Sequence, residues 1–244
     1  MWIQFLGTGD AFCSGGRFQT CFLVKVPDYC FLIDCGATSL LAMKSRNIDT
    51  NLIDGIIISH FHGDHFGGLP YFLLDANFSG KRTRPLNIAG PPGVAARVGE
   101  LLAVSYPMVD IDHLTFAVEF IEFRENQNIA MGPLQLETFP VVHVPASLPH
   151  GIRVNYHNTT LAFSGDTGWT DNLYKIANAA DLFICECNFF STVSPAHLNY
   201  QKINAERDNL NCKRIIINHL GAEMLDNMDA CKLECSHDGM IVEI

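Results

Sequence analysis

The chain has 244 residues, 48% of them hydrophobic and 17% charged, with 26 acidic against 16 basic side chains and a formal net charge of −10. That is long enough to bury a substantial core and too apolar for a disordered segment, while no apolar run nears the roughly 18 residues of a membrane helix. The acidic balance argues against a broad nucleic-acid footprint but not against a small phosphate ester, because bound dications would invert the local field.

The opening residues 2–6 read as a short strand, followed by a Gly-Thr-Gly-Asp turn, and the start lacks the basic residues and cleavage site of a secretory signal. Stretches 18–26 and 30–33 read as the next strands, separated by a Pro-Asp turn. Asp34 either supports a histidine or caps a helix beginning near Thr38. The β-branched run 55–59 predicts a buried strand. A helix over 69–76, a strand over 85–90 and a helix over 94–105 follow, the last entered through prolines that suit a helix start. Lys81, Arg82 and Arg84 form the one notable basic cluster and read as a solvated loop, not an RNA patch. From residue 114 the pattern turns β-rich, with strands over 116–123, 134–144, 151–156 and 160–164, then 182–187 and 214–218, and helices near 171–178 and after Ala196. This rhythm predicts an α/β four-layer αββα sandwich in one domain, residues 1–244. Nine cysteines without a CxxC pair fit reduced thiols in a cytoplasm, and Cys231 and Cys235 have no partner pair at metal-ligand spacing.

Residues 60–65 read His-Phe-His-Gly-Asp-His, directly after the predicted strand. Gly63 lets the chain coil tightly, so that His60 and His62 face one point while Asp64 and His65 face another. Neutral imidazole and carboxylate are the usual ligands of zinc and similar divalent ions, and the absence of cysteine here leaves room for exchangeable water. His143, Asp166 and His219 are the other ligand-type residues predicted at strand ends. His113, His150, His157 and His237 have no such placement and read as surface or core residues.

The motif HFHGDH, followed by Gly67-Gly68-Leu69-Pro70, resembles the HxHxDH signature of the metallo-β-lactamase fold hydrolases. With FLGTG at 5–9 and DCG at 34–36, the extended match is similar to the phosphodiesterase branch that includes the tRNA 3′-processing endonuclease RNase Z. The resemblance implies two divalent ions, zinc first, with manganese or iron as alternatives. It implies His60, His62 and His143 on one ion, Asp64, His65 and His219 on the other, and Asp166 bridging both. It also places Glu186 and His197 beside the metals as a catalytic pair, with Asp64 counted among catalytic residues as well as ligands. A carboxylate on an imidazole raises its pKa and orients it, which suits His197 to donate a proton to the departing oxygen.

Two features depart from RNase Z. The short stretch between His143 and Asp166 leaves no room for the arm that grips the tRNA elbow, and Leu198 and Asn199 stand where that family has a small hydroxyl pair. The expected activity is therefore hydrolysis of a small or cyclic phosphodiester, with an RNA 3′ end as the lesser option. A lactonase, thioesterase or arylsulfatase on the same scaffold is the alternative enzyme. A non-enzymatic metal-binding module would have lost ligands, and none is missing. A homodimer, as among relatives, and no membrane partner complete the expectation.

Overall fold

The computed structural model describes residues 1–124 and 127–244. Its first half supplies strands β1 (Trp2–Gly7), β2 (Cys21–Val26), β3 (Tyr29–Ile33), β4 (Gly55–Ile57), β5 (Leu86–Gly90) and β6 (Val118–Glu122). The second supplies β7 (Ile129–Met131), β8 (Leu134–Pro140), β9 (His150–Tyr156), β10 (Thr159–Phe163), β11 (Leu182–Glu186), β12 (Ile215–Asn218) and β13 (Glu234–Cys235). A last strand, β14 (Ile241–Glu243), returns to pair with β1. The strands form two seven-stranded sheets, ordered β14-β1-β2-β3-β4-β5-β6 and β13-β12-β11-β10-β9-β8-β7.

The sheets share a design. In the first, β2 and β3 pair antiparallel and β3, β4, β5 and β6 run parallel. In the second, β9 and β10 pair antiparallel and β10, β11, β12 and β13 run parallel. The carboxyl ends of both parallel sets are where ligand-binding loops collect in sheets of this kind.

Alternation along the strands builds three cores. Phe22, Phe31 and Ile33 of the first sheet pack inward against Leu136, Ile152, Phe163 and Ile184 of the second, and Phe22 meets Phe163 edge-to-face at 5.2 Å. Leu23, Leu32 and Ile56, on the opposite face, lie under helices α1 (Ser39–Ser45), α2 (Gly63–Phe66), α3 (Leu69–Leu74) and α4 (Val94–Ser105). Ala162, Phe183 and Ile217 do the same under α5 (Asn172–Ala177), α6 (Tyr200–Glu206) and α7 (Ala222–Asp226). Both faces of the central strands are thus covered, which is why β3, β4, β11 and β12 read as nearly continuous apolar runs. The layering is the αββα sandwich expected from the sequence.

Several local expectations change. The strand expected over 134–144 stops at Pro140, where the chain leaves the sheet, so His143 sits in a loop beyond the strand end. That loop is kept near the sheet by a bridge between Val142 and Gly168. Asp166 likewise lies past the end of β10, after a turn at Gly165 with φ 60°. Arg82 does not belong to a solvated loop. It is buried and donates to the carbonyls of Arg84 and Pro85 at 2.8 and 2.6 Å, while Arg84 pairs with Asp54. Two of the three basic side chains are therefore committed to holding the chain together. The helix expected over 69–76 ends as α3 at Leu74 and continues as a wider turn, Asp75–Ser79.

One close approach fixes the site loops. The segment after β3 runs against the segment after β4, with Cys35 N–H donating to the His65 carbonyl at 2.7 Å and Gly68 N–H to the Cys35 carbonyl at 2.8 Å. A Cβ on Gly36 would fall 2.1 Å from the Asp64 carbonyl oxygen, and one on Gly68 would fall 2.1 Å from that of Gly36. Only glycine lets the two backbones meet. No helix among the described residues is long and apolar enough to cross a membrane.

Candidate metal centre

At the carboxyl ends of the parallel strands the expected side chains converge. His60, His62 and His143 form one group, and Asp64, His65, Asp166 and His219 a second, with ligand atoms in each group within 4.8 Å of one another. His197 joins His143 and Asp166 in a further group, and Glu186 and His219 in another. All nine candidate residues from the sequence thus meet in one region, and none strays.

The imidazoles of His60, His65, His143 and His219 each meet a second group at Nδ1. Ser59 Oγ donates to Asp34 at 2.9 Å and lies 3.0 Å from His60 Nδ1, while Asp34 also accepts from His65 Nδ1 at 2.7 Å. One buried carboxylate therefore turns the Nε2 atoms of two histidines toward the cavity. This settles the role of Asp34: it holds histidines and caps no helix. His143 Nδ1 donates to the Ala196 carbonyl at 2.8 Å, and its Nε2 sits 3.0 Å from His62 Nδ1. His219, at φ 57°, has its Nδ1 3.3 Å from the Asn188 side-chain amide. Rotating that amide would present Oδ1 to the ring N–H and leave Nε2 for a ligand. Ser59 and Asn188 escaped the sequence reading, since a lone serine or asparagine beside a motif carries no pattern of its own.

Burial and charge divide the histidines. Burial, reinforced by neighbouring imidazoles, holds His60, His62 and His143 below the ordinary imidazole range, in the neutral form that ligates metal. Burial also disfavours the charged forms of His65 and His219, but the Asp166 and Asp64 carboxylates outweigh it. They raise His65 and push His219 up to about 9. The same pairing overcomes burial at Asp64 and Asp166 and keeps both carboxyls below their usual range.

The donor set fits divalent ions. His60 Nε2, His65 Nε2 and Asp166 Oδ1 are buried without any hydrogen-bond partner, a costly condition that a cation relieves. His65 Nε2 lies 3.1 and 3.3 Å from oxygens of Asp64 and Asp166, a spacing typical of atoms arranged around a shared centre.

Glu186 ends β11 fully buried. Its Oε1 accepts from His197 Nδ1 at 2.9 Å and from Thr167 N–H at 2.9 Å, and its Oε2 from Asn188 N–H at 3.2 Å. Burial opposes protonation of His197, yet the Glu186 hydrogen bond and charge hold its pKa above the usual imidazole value. His197 stands just before α6, which Asn199 caps by accepting from Lys202 N–H at 2.9 Å, so the histidine has no capping duty. The centre opens into a cavity of about 350 Å³. The opening FLGTG stretch leads into its wall through Asp10, Ala11 and Phe12, and Leu220 N–H, beside His219, donates to the Thr8 carbonyl at 3.1 Å.

Solved structures share this arrangement of layers. The metallo-β-lactamase fold protein YhfI from Bacillus subtilis superposes with a TM-score of 0.81 at 19% identity, covering 100% of this chain and 99% of that one. The short form of human tRNase Z superposes with a TM-score of 0.81 at 22% identity, with 100% and 99% coverage. The chain is a metallo-β-lactamase fold protein with a two-part His/Asp centre. Residues 1–235 match the family described as anti-Pycsar protein Apyc1, and the chain belongs to that family. A curated relative, Ribonuclease Z of Methanococcus maripaludis, is 36% identical over 147 residues, which is 60% of this chain and 47% of that protein. The match spans about half the length of that relative.

Proposed function

We propose that this chain is a metal-dependent hydrolase, a phosphodiesterase acting on a small or cyclic phosphodiester. The observation that carries the reading is the buried Glu186–His197 pair adjoining the converged ligand set in one cavity. Relatives named Ribonuclease Z support phosphodiester chemistry, and the committed basic cluster argues against a long RNA substrate. His60, His62 and His143 would hold one divalent ion and Asp64, His65 and His219 a second, with Asp166 shared; zinc suits the donors, with manganese or iron as alternatives. Bound there, such ions would activate water and neutralise charge developing on the phosphoryl oxygens.

The remaining chemistry belongs to the chain. Asp34 and Ser59 fix the tautomers of His65 and His60, so the site is preorganised. Glu186 holds the proton on His197 Nδ1 and, against the effect of burial, shifts the ring toward its protonated form. The ring shares the cavity with the ligand set and can deliver a proton to a departing alkoxide, the step that a poor leaving group requires. Residues 1–244 are taken as one catalytic unit because the inner core draws on both sheets, and a homodimer in the cytoplasm is the expected state. The test is a turnover screen of metal-loaded protein on bis(p-nitrophenyl) phosphate, nucleoside cyclic phosphates, a tRNA precursor, a lactone and an aryl sulfate. Turnover of the phosphodiesters is the expected result. Turnover of the lactone or sulfate alone would overturn the reading.

A further inference from the structure

We infer that Cys231 and Cys235 are a modification site, a dithiol that hydroperoxides close to a disulfide and so fasten the edge strand β13. Neither residue lines the cavity over the metal centre. Of the nine cysteines, Cys21, Cys35, Cys185 and Cys187 are buried and shielded from a dissolved oxidant. Cys13, Cys30 and Cys212 are partly exposed, but no hydrogen bond joins any of them to another cysteine. Cys231 and Cys235 are partly exposed and in contact. The Cys235 thiol donates to Cys231 Sγ at 3.6 Å, the one hydrogen bond between two cysteines among the described residues. The Cys231 thiol donates in turn to the Leu233 carbonyl at 3.4 Å, so both sulfurs face the same short loop.

The loop can bring them together. It runs from the tight turn Met228–Ala230 into β13, and β13 is held to β12 only through Glu234 and Cys235. A disulfide sets its sulfurs about 2 Å apart, an approach that turning the two side chains on a yielding loop supplies. A metal is the poorer occupant. Structural zinc takes four ligands, and no third His, Cys, Asp or Glu among the described residues joins this pair in a ligand group.

The two thiols have unequal parts. Burial, followed by the neighbouring Cys231 sulfur, pushes Cys235 up to about 12, so Cys235 stays a neutral donor and Cys231 is the sulfur that meets the oxidant. The Cys231 thiolate attacks one oxygen of a hydroperoxide and breaks the O–O bond. That oxygen stays on sulfur as a sulfenic acid, a two-electron oxidation, and the other leaves with a proton as water or an alcohol. The Cys235 sulfur then attacks Cys231, the S–S bond forms as the S–O bond breaks, and the departing hydroxide takes the Cys235 proton as water. Two thiols and one hydroperoxide thus give one disulfide, one water and one water or alcohol.

The experiment exposes the reduced full-length protein to hydrogen peroxide, alkylates the remaining thiols and maps tryptic peptides without reduction. Trypsin cuts after Lys232, between the two cysteines, so the disulfide appears directly as a crosslinked pair of peptides. The expected result is that pair, with loss of two alkylatable thiols per chain and full recovery in dithiothreitol. Cys235→Ser should instead leave Cys231 as a sulfenic acid that a 1,3-diketone traps. Backbone amides at 233–236 should exchange hydrogen more slowly in the oxidised protein, because the crosslink ties β13 to the turn before it. Crosslinks from either residue to a different cysteine would overturn the inference. So would two thiols still alkylatable after a peroxide excess that converts glutathione fully to its disulfide, or exchange rates at 233–236 that oxidation leaves unchanged.

Discussion

The two sheets deliver the centre in different ways. The first places four candidate ligands on one short loop and helix after β4, steadied by Asp34 at the end of β3. The second spreads His143, Asp166, His197 and His219 over separate loops and sets Glu186 at the end of β11. Yet the strand plan is the same, and by position β3 with Asp34 corresponds to β10 with Asp166. One carboxylate reaches the backs of histidines, while the other points an unpartnered oxygen into the centre. On the proposed reading, the first half's carboxylate orients rings while the second half's would bridge the ions beside the proton-donating pair.

The strongest way to break this comparison is Asp166→Ala. If that carboxylate spans both ligand groups, elemental analysis should show loss of both ions and turnover of bis(p-nitrophenyl) phosphate should drop to background. Retention of two ions would reduce Asp166 to an ordinary neighbour.

Next comes His197→Ala. Turnover of a ribose-type phosphodiester should fall on the order of 10²–10⁴-fold, the range of general acid catalysis. The loss on bis(p-nitrophenyl) phosphate should be much smaller, because nitrophenolate leaves without a proton. The raised His197 pKa also fixes a sign: the ribose substrate should react well below that pKa and slow as pH climbs through it, at a pH above the ordinary imidazole value. Equal losses on both substrates would make His197 a positioning residue.

Asp34→Asn sharpens the contrast from the other side. It removes a carboxylate that touches no substrate, so metal affinity should weaken about 10- to 100-fold while the intact ligands still bind. Competition with a chelator measures it. The smallest effect belongs to Arg84→Ala, which breaks an exposed pair with Asp54. Stability should change by no more than about 1 kcal/mol in denaturant titration, and binding of precursor tRNA, expected to be weak in the wild type, should hardly move. Nanomolar tRNA binding at physiological salt would contradict the reading of that segment.

The unequal spread of ligands also explains what the sequence could reveal. The cluster 60–65 is legible because its chemistry is contiguous. His143, Asp166 and His219 are legible only as completions of a resembled pattern, since each lies alone between unremarkable neighbours. Asp34 stayed undecided because its partner His65 is joined to it only by the fold. Strands β13 and β14, of two and three residues, are too short to show alternation, and their existence depends on pairing with β12 and β1.

Gly36 and Gly68 carry no chemistry, yet the contact they permit limits how this lineage can drift. A ligand lost by mutation leaves a folded, silent protein from which activity can be regained by one reversion. A methyl group at either glycine instead separates the loop bearing Asp34 from the loop bearing Asp64 and His65, so that no single change elsewhere compensates. In a saturation scan these two positions should prove as intolerant as the histidines, and abundance measured alongside activity would distinguish the two kinds of failure.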